Sequence, residues 1–184
     1  ARLVNRKRSA ANANCCDFCQ RLWTAYWQAS KGPIVVIGAG GGSRAVCQGL
    51  IQEGATEIRL VNRHLERAQI IQADLGGPIQ AYAWQDRADL MADASMVVNT
   101  TSQGMQGENA LDINLDQLPK SALVSDAIYV PLETPLLAQA RLRGNTTVNG
   151  LGMLLHQARP AFKAWFGVMP EVSPELKNAV IATL

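Results

Sequence analysis

The chain has 184 residues, enough for one domain with a sizeable core but too few for two full domains. Hydrophobic content of 48% and mean hydropathy near zero describe a soluble globular protein, and no apolar run approaches the ~20 residues of a membrane span. A net charge of +2 gives no general argument for nucleic acid.

The charge is unevenly placed. Residues 1–31 carry six Lys or Arg against the single acid Asp17, whereas the remainder carries eleven against fourteen. The first segment also holds Cys15, Cys16 and Cys19 and two of the four tryptophans, with no strand pattern. Its Arg, Ala, Ser and Asn content allows an organelle transit peptide, but the same composition is common in foreign or disordered termini. No fourth ligand follows the cysteines at zinc-like spacing, so reduced, incidental thiols and a cytoplasmic location are expected, with no metal. A boundary falls near residue 31, separating this atypical segment from a body over 32–184.

From Ile34 the text alternates strand and helix. Ile34 to Ile37 is a β-branched run suited to a strand buried on both faces. A helix follows over Ser43 to Glu53, then a strand at Ile58 to Val61 and a helix at Leu65 to Leu75, stopped by Gly76-Gly77-Pro78. Ile79 to Ala83 is a third strand, Gln85 to Met91 a short helix, Met96 to Val98 a fourth strand, and Ala122 to Val124 a fifth. Thr134 is placed as an N-cap with Pro135 in the first helical position of a helix to about Arg143. Thr146 to Val148 is a sixth strand, Leu151 to Phe166 a long helix, and Ser173-Pro174-Glu175 opens a last one. This alternation predicts an α/β fold with a doubly wound, Rossmann-like parallel sheet of strand order 3-2-1-4-5-6 and C-terminal helices. Ligands then belong at the carboxyl ends of the strands, near the switch between the first and fourth.

Gly38-Ala39-Gly40-Gly41-Gly42 lies at the end of the first strand. A glycine turn there lets backbone approach a pyrophosphate, and the helix beyond offers free N–H groups and a positive dipole end. The third glycine of the strict fingerprint is replaced by Ser43, small enough for close packing and able to donate to a phosphate oxygen. At the end of the second strand an NAD site usually places Asp or Glu. Here Asn62, Arg63 and Arg67 supply donors instead, which suits the additional phosphate of NADP. Positive side chains are disfavoured at a helix N-terminus unless an anion is present.

Asn99-Thr100-Thr101-Ser102 sits where the fourth strand ends, and reads equally as an ordinary Asx or Ser/Thr turn or as the wall beside the nicotinamide ribose; its position favours the wall. Gly150, Met153 and Gln157 share one helix face and could line a nicotinamide and hydroxylated-substrate site, or Met153 could be core and Gln157 solvated.

These motifs together resemble shikimate dehydrogenase. The resemblance rests on Gly38 to Gly42 with Arg44-Ala45, on Asn62-Arg63 with Arg67-Ala68, and on Asn99 to Met105. It extends to Asp126, Tyr129, Pro131 with Thr134 to Leu137, and to Asn149 to Leu154 with Gln157-Ala158, in order and spacing from about Ile34 to the C-terminus. It implies NADPH-dependent reduction of 3-dehydroshikimate to shikimate in chorismate and aromatic amino acid biosynthesis, by a protein that is a monomer or homodimer when complete. By the resemblance, Gly38 to Gly42 hold the pyrophosphate, Asn62, Arg63 and Arg67 the ribose phosphate, and Thr100, Ala127 and Gly150 contact the cofactor, while Tyr129 and Gln157 reach the substrate. The family's Asn-Arg-Thr pattern has His64 in third place here, expected to be exposed.

In the family the catalytic Lys and Asp belong to an N-terminal substrate domain, and residues 1–31 match none of its motifs. The expectation is therefore a fragment, truncated or frame-shifted upstream, with no catalytic acid to assign. Tyr129, with a reference pKa of about 10, and His156 and Lys163, with no evident orienter, are poor substitutes. The alternatives are a non-catalytic NADP-binding module and a quinate or shikimate dehydrogenase preferring NAD, the second opposed by Arg63 and Arg67.

Overall fold

The computed structural model describes residues 31–184; the readings of Cys15, Cys16, Cys19 and the start of the chain lie outside that range. Strands β1 (Ile34–Ile37), β2 (Ile58–Asn62), β3 (Ile79–Ala83), β4 (Met96–Asn99), β5 (Leu123–Asp126) and β6 (Thr146–Val148) form one sheet in the order β3-β2-β1-β4-β5-β6. Every pairing is parallel, so the expected architecture and strand order are observed. The central strands are apolar on both sides because both faces are covered. Ile34, Val36, Leu60 and Val98 pack on one face with Val46 and Leu50 of α1 (Gly41–Gln52) and with Ala68 and Ile71 of α2 (Leu65–Leu75). Val35, Ile37, Val61, Val97 and Val124 pack on the other with Leu136, Leu137 and Ala140 of α3 (Pro135–Arg143) and with Leu115 and Leu118.

Local chemistry explains most boundaries. The Thr134 hydroxyl accepts from the Leu137 N–H, Pro135 occupies the first helical turn, and Gly144 ends α3 in a left-handed conformation. Ser173 caps α5 (Pro174–Ile181) in the same way. Helix α4 (Leu151–Phe166) runs as expected. The fifth strand runs to Asp126 rather than ending at Val124, and two helix expectations differ. The first helix begins at Gly41 rather than Ser43, because Ser43 at the third helical position bonds back to Gly40 and closes the turn. The helix expected at Gln85 to Met91 is instead two 3-10 turns, Trp84–Arg87 and Asp89–Met91, since the segment is too short to sustain α-helical bonding. Among the described residues no helix is long and apolar enough to cross a membrane, and no group of three His, Cys, Asp or Glu could hold a metal.

Candidate functional site

The strand ends are level, which brings distant sequence segments to one edge. Ile37 is in register with Val61 and Asn99, and Asn99 with Asp126. The ladder continues past the strands: Gly38 N donates to Val61 O at 2.8 Å, Thr100 N to Ile37 O at 2.9 Å, Ala127 N to Asn99 O at 2.9 Å and Gly150 N to Ile128 O at 2.8 Å. The loops carrying Gly38, Thr100, Ala127 and Gly150 are thus parts of one hydrogen-bonded rim.

Gly38 is required by the fold. Its φ of +104° disfavours a side chain, and a Cβ there would lie 2.9 Å from both Thr100 Oγ1 and Thr101 Cγ2. Gly40 and Gly41 differ, because a Cβ on either would meet nothing within 4 Å. Both are exposed, and with Ala39, Arg44 and Arg67 they line a groove of about 300 Å³ at the start of α1. The early N–H groups of α1 have no partner inside the helix and carry its positive dipole end, so this groove favours an anion such as a phosphate. Ser43 does not share in that role. Its hydroxyl donates to Gly40 O at 2.9 Å while accepting from Gly40 N at 2.6 Å, and the side chain is buried.

Arg63 and Arg67 flank the start of α2, both exposed, and among the described residues neither forms an ion pair. Arg67 borders the groove, whereas the Arg63 guanidinium carbon stands 5.7 Å from the centroid of Trp84. Asn62 donates its amide to His64 O at 2.8 Å, closing the turn and leaving one further N–H on that amide. His64 is exposed, as expected, and is the N-cap residue of α2. Arg44, at the rim of the groove, is paired with Asp74 at 2.7 Å.

On the other side of β1 a cleft of about 570 Å³ opens between the ends of β4 and β5, lined by Thr100, Thr101, Met105, Ala127, Tyr129 and Val130 among others. Its walls are held by a buried polar cluster. Asp126 accepts from Asn99 Nδ2 at 3.0 Å, from Ile128 N at 3.1 Å and from the Thr134 hydroxyl at 2.7 Å. Asn99 in turn accepts from Thr101 N at 3.0 Å and from its hydroxyl at 2.7 Å. Burial pushes the Asp126 carboxyl above the ordinary aspartate range, although all three hydrogen bonds oppose that rise.

Thr100, Ala127 and Tyr129 therefore stand together, and Gly150 packs directly behind Ala127. Gln157 is half-buried two turns along α4 and is not among the residues lining the cleft; Met153 packs against the α1 side of the core. His156 is buried and Lys163 exposed. Sequence reading missed Trp84 and the part played by Thr134 in supporting Asp126, since both depend on contacts between separate segments.

The chain matches the family described as shikimate / quinate 5-dehydrogenase over residues 24–128, more than half its length, and the shikimate 5'-dehydrogenase C-terminal domain over 150–174. The first match begins upstream of the boundary drawn from composition at residue 31. Among curated proteins the chain is 51% identical to shikimate dehydrogenase (NADP(+)) of Paramagnetospirillum magneticum, over 85% of this chain and 56% of that protein. It is 54% identical to the enzyme of the same name from Nitrobacter hamburgensis, over 83% and 54%. Among solved structures it resembles quinate dehydrogenase from Corynebacterium glutamicum in complex with NAD, with a TM-score of 0.82, 28% identity, and coverage of 94% of this chain and 62% of that one. It also resembles shikimate 5-dehydrogenase from Thermus thermophilus in complex with NADP(H) and shikimate, with a TM-score of 0.70, 30% identity, and coverage of 84% and 56%. The chain spans about half the length of the curated relatives it matches. With a family match over more than half its length, the chain belongs to the shikimate / quinate 5-dehydrogenase family.

Proposed function

We propose that this chain carries the NADP-binding part of a shikimate dehydrogenase, which in the complete enzyme serves NADPH-dependent reduction of 3-dehydroshikimate to shikimate. The observation that carries the reading is the pairing of an open glycine groove at a helix N-terminus with two guanidiniums at the start of α2, Arg63 and Arg67, that form no ion pair among the described residues. Gly40 and Gly41 leave room for a pyrophosphate against the α1 N–H groups. Arg67 and Arg63 then face the ribose phosphate, and Asn62 contributes its remaining amide hydrogen. The curated relatives bearing the NADP(+) name support this choice of dinucleotide.

When bound, a nicotinamide supplies hydride exchange with a carbonyl carbon. Thr100, Ala127 and Tyr129 line the cleft, with Gly150 packed behind Ala127, and the Tyr129 hydroxyl can hold a polyhydroxylated ring. Reduction also requires an acid within hydrogen-bond reach of the carbonyl oxygen. The cleft walls offer hydroxyls, the Gln106 amide and apolar side chains, while Asp126 turns both its oxygens towards Asn99, Ile128 and Thr134. Proton delivery accordingly belongs to a group outside residues 31–184. This chain should bind NADPH without oxidising it when dehydroshikimate is added; turnover at a rate normal for the complete enzymes would refute that division of labour.

The assignment of the arginines has its own test. Arg63→Ala and Arg67→Ala should each weaken NADPH binding about tenfold, the value of a charge-assisted bond, while NADH binding stays unchanged. Equal losses for the two dinucleotides, read by fluorescence titration, would disprove the ribose-phosphate role. A loss confined to NADPH also argues against an NAD-preferring quinate enzyme, the other reading that the family name admits.

A further inference from the structure

We propose that Trp84 is a positioning residue for dinucleotide selectivity: its ring is a shelf that holds the Arg63 guanidinium at the carboxyl end of β2, where the ribose phosphate binds. This rests on the NADP reading above. Asn62 and Ala83 are register partners in β2 and β3, so Trp84 and Arg63, one residue beyond each, emerge side by side on the ligand edge of the sheet. The Arg63 guanidinium carbon lies 5.7 Å from the Trp84 ring centroid, within cation–π range.

The shelf is itself fixed. Trp84 is half-buried and packs against the core on the α3 side of the sheet. The Arg87 guanidinium carbon stands 4.6 Å from the same ring, and Arg87 is anchored through Nη1 to Trp84 O at 3.0 Å, Nε to Asp112 O at 3.0 Å and Nη2 to Asp112 Oδ2 at 2.8 Å. Asp112 offsets the charge of Arg87, so the ring sits against a braced and neutralised neighbour. Arg63 has no such brace; among the described residues its recorded interaction is with Trp84. A long side chain free in solvent loses rotamer freedom when it meets an anion, and a preformed contact reduces that loss. The bare ribose of NAD gives Arg63 no anion to meet, so the shelf acts on one dinucleotide and not on the other.

The experiment is a titration of NADPH and NADH against this chain carrying Trp84→Leu, which keeps apolar bulk and removes the ring face. The NADPH-to-NADH affinity ratio should fall about fourfold, the magnitude of a partly exposed cation–π contact, with NADH affinity unchanged. In an Arg63→Ala background the same substitution should leave the ratio where it was. An unchanged ratio in W84L alone overturns the proposal, and so does an equal loss for both dinucleotides, which a purely structural role would give. Should W84L fail to fold, Trp84→Phe is read in its place: a smaller drop in the ratio supports the shelf, and none overturns it. Equal affinity of the unmodified chain for NADPH and NADH would instead sink the NADP reading. A selective chain whose W84L variant is equally selective sinks only the role of Trp84.

Discussion

Gly150→Ala should lower the thermal midpoint of the chain by about 10 °C and remove its affinity for dinucleotide. The backbone there has φ −77° and ψ −5°, an ordinary right-handed conformation that alanine adopts freely. The effect is therefore steric. A Cβ on Gly150 would lie 2.0 Å from Ala127 O, 2.4 Å from Ala127 C and 2.9 Å from Ile128 C, all of them backbone atoms that no side-chain rotation can clear. Relief requires the loop after β5 to move away from α4 by more than 1 Å on van der Waals grounds, which breaks the Gly150 N to Ile128 O bond and shifts the cleft floor. Overpacking of this kind costs about 3 kcal/mol, or roughly 10 °C in a chain of this size. Gly41→Ala is the matched control. Its Cβ meets nothing within 4 Å and alanine is the better helix former, so the midpoint should hold while NADPH binding falls, because the methyl enters the groove proposed for the phosphate. A Gly150→Ala variant that melts and binds like the unmodified chain would contradict the packing; a Gly41→Ala variant with normal binding would contradict the groove.

The contrast between those two glycines also marks what the sequence discloses. Both stand in short glycine-bearing stretches, and the sequence reading places both at the cofactor. Only the rim of the folded sheet separates a glycine demanded by its neighbours from one left open for a ligand. Strand order was legible because β1, β2 and β4 are short apolar runs divided by amphipathic stretches, and parallel crossovers admit few arrangements. Capping chemistry was legible at Thr134 and Ser173, where the signal is local. The segment over 84–91 misled for the opposite reason: its apolar residues serve the core from two 3-10 turns, and periodicity over eight residues does not tell these from an α-helix. Ser43 shows the same limit at a single side chain. A serine in a phosphate turn reads as a donor to the ligand, yet its hydroxyl is taken by Gly40, three residues away. Trp84 gave no signal at all, since its partners are set by the register of β2 with β3 and by Asp112 beyond β4.

Asp126→Ala should be at least as damaging, with a midpoint lowered by more than 10 °C, because three donors converge on one buried carboxylate. Removing it leaves the Ile128 N–H, the Thr134 hydroxyl and one hydrogen of the Asn99 amide, whose Nδ2 also donates to Gln103 O at 3.2 Å, without their carboxylate acceptor where water has little access. At about 1 to 3 kcal/mol for each orphaned group, the loss is on the order of 4 kcal/mol even after partial relaxation. The damage should reach the cleft, as Asn99 also orders Thr101 and Ile128 anchors Gly150. Asp126→Asn should cost far less, since its carbonyl keeps the Asn99 and Ile128 bonds and its amide faces Thr134. The two variants separate the acceptor from the charge. Burial raises the folded-state pKa of Asp126 above the ordinary 3.8, so between that value and the raised one the folded protein holds a proton that the unfolded chain has released. Stability from this group is full below the unfolded value and declines as pH rises through the folded one. The midpoint of the unmodified chain minus that of Asp126→Asn should thus fall with rising pH across that window and level off above it. Asp93, held below the usual range by Arg59, acts in the opposite direction but is common to both proteins and cancels in the difference. A difference curve that rises with pH would show that the three hydrogen bonds outweigh burial, and that the charged carboxylate is the form the site was built to hold.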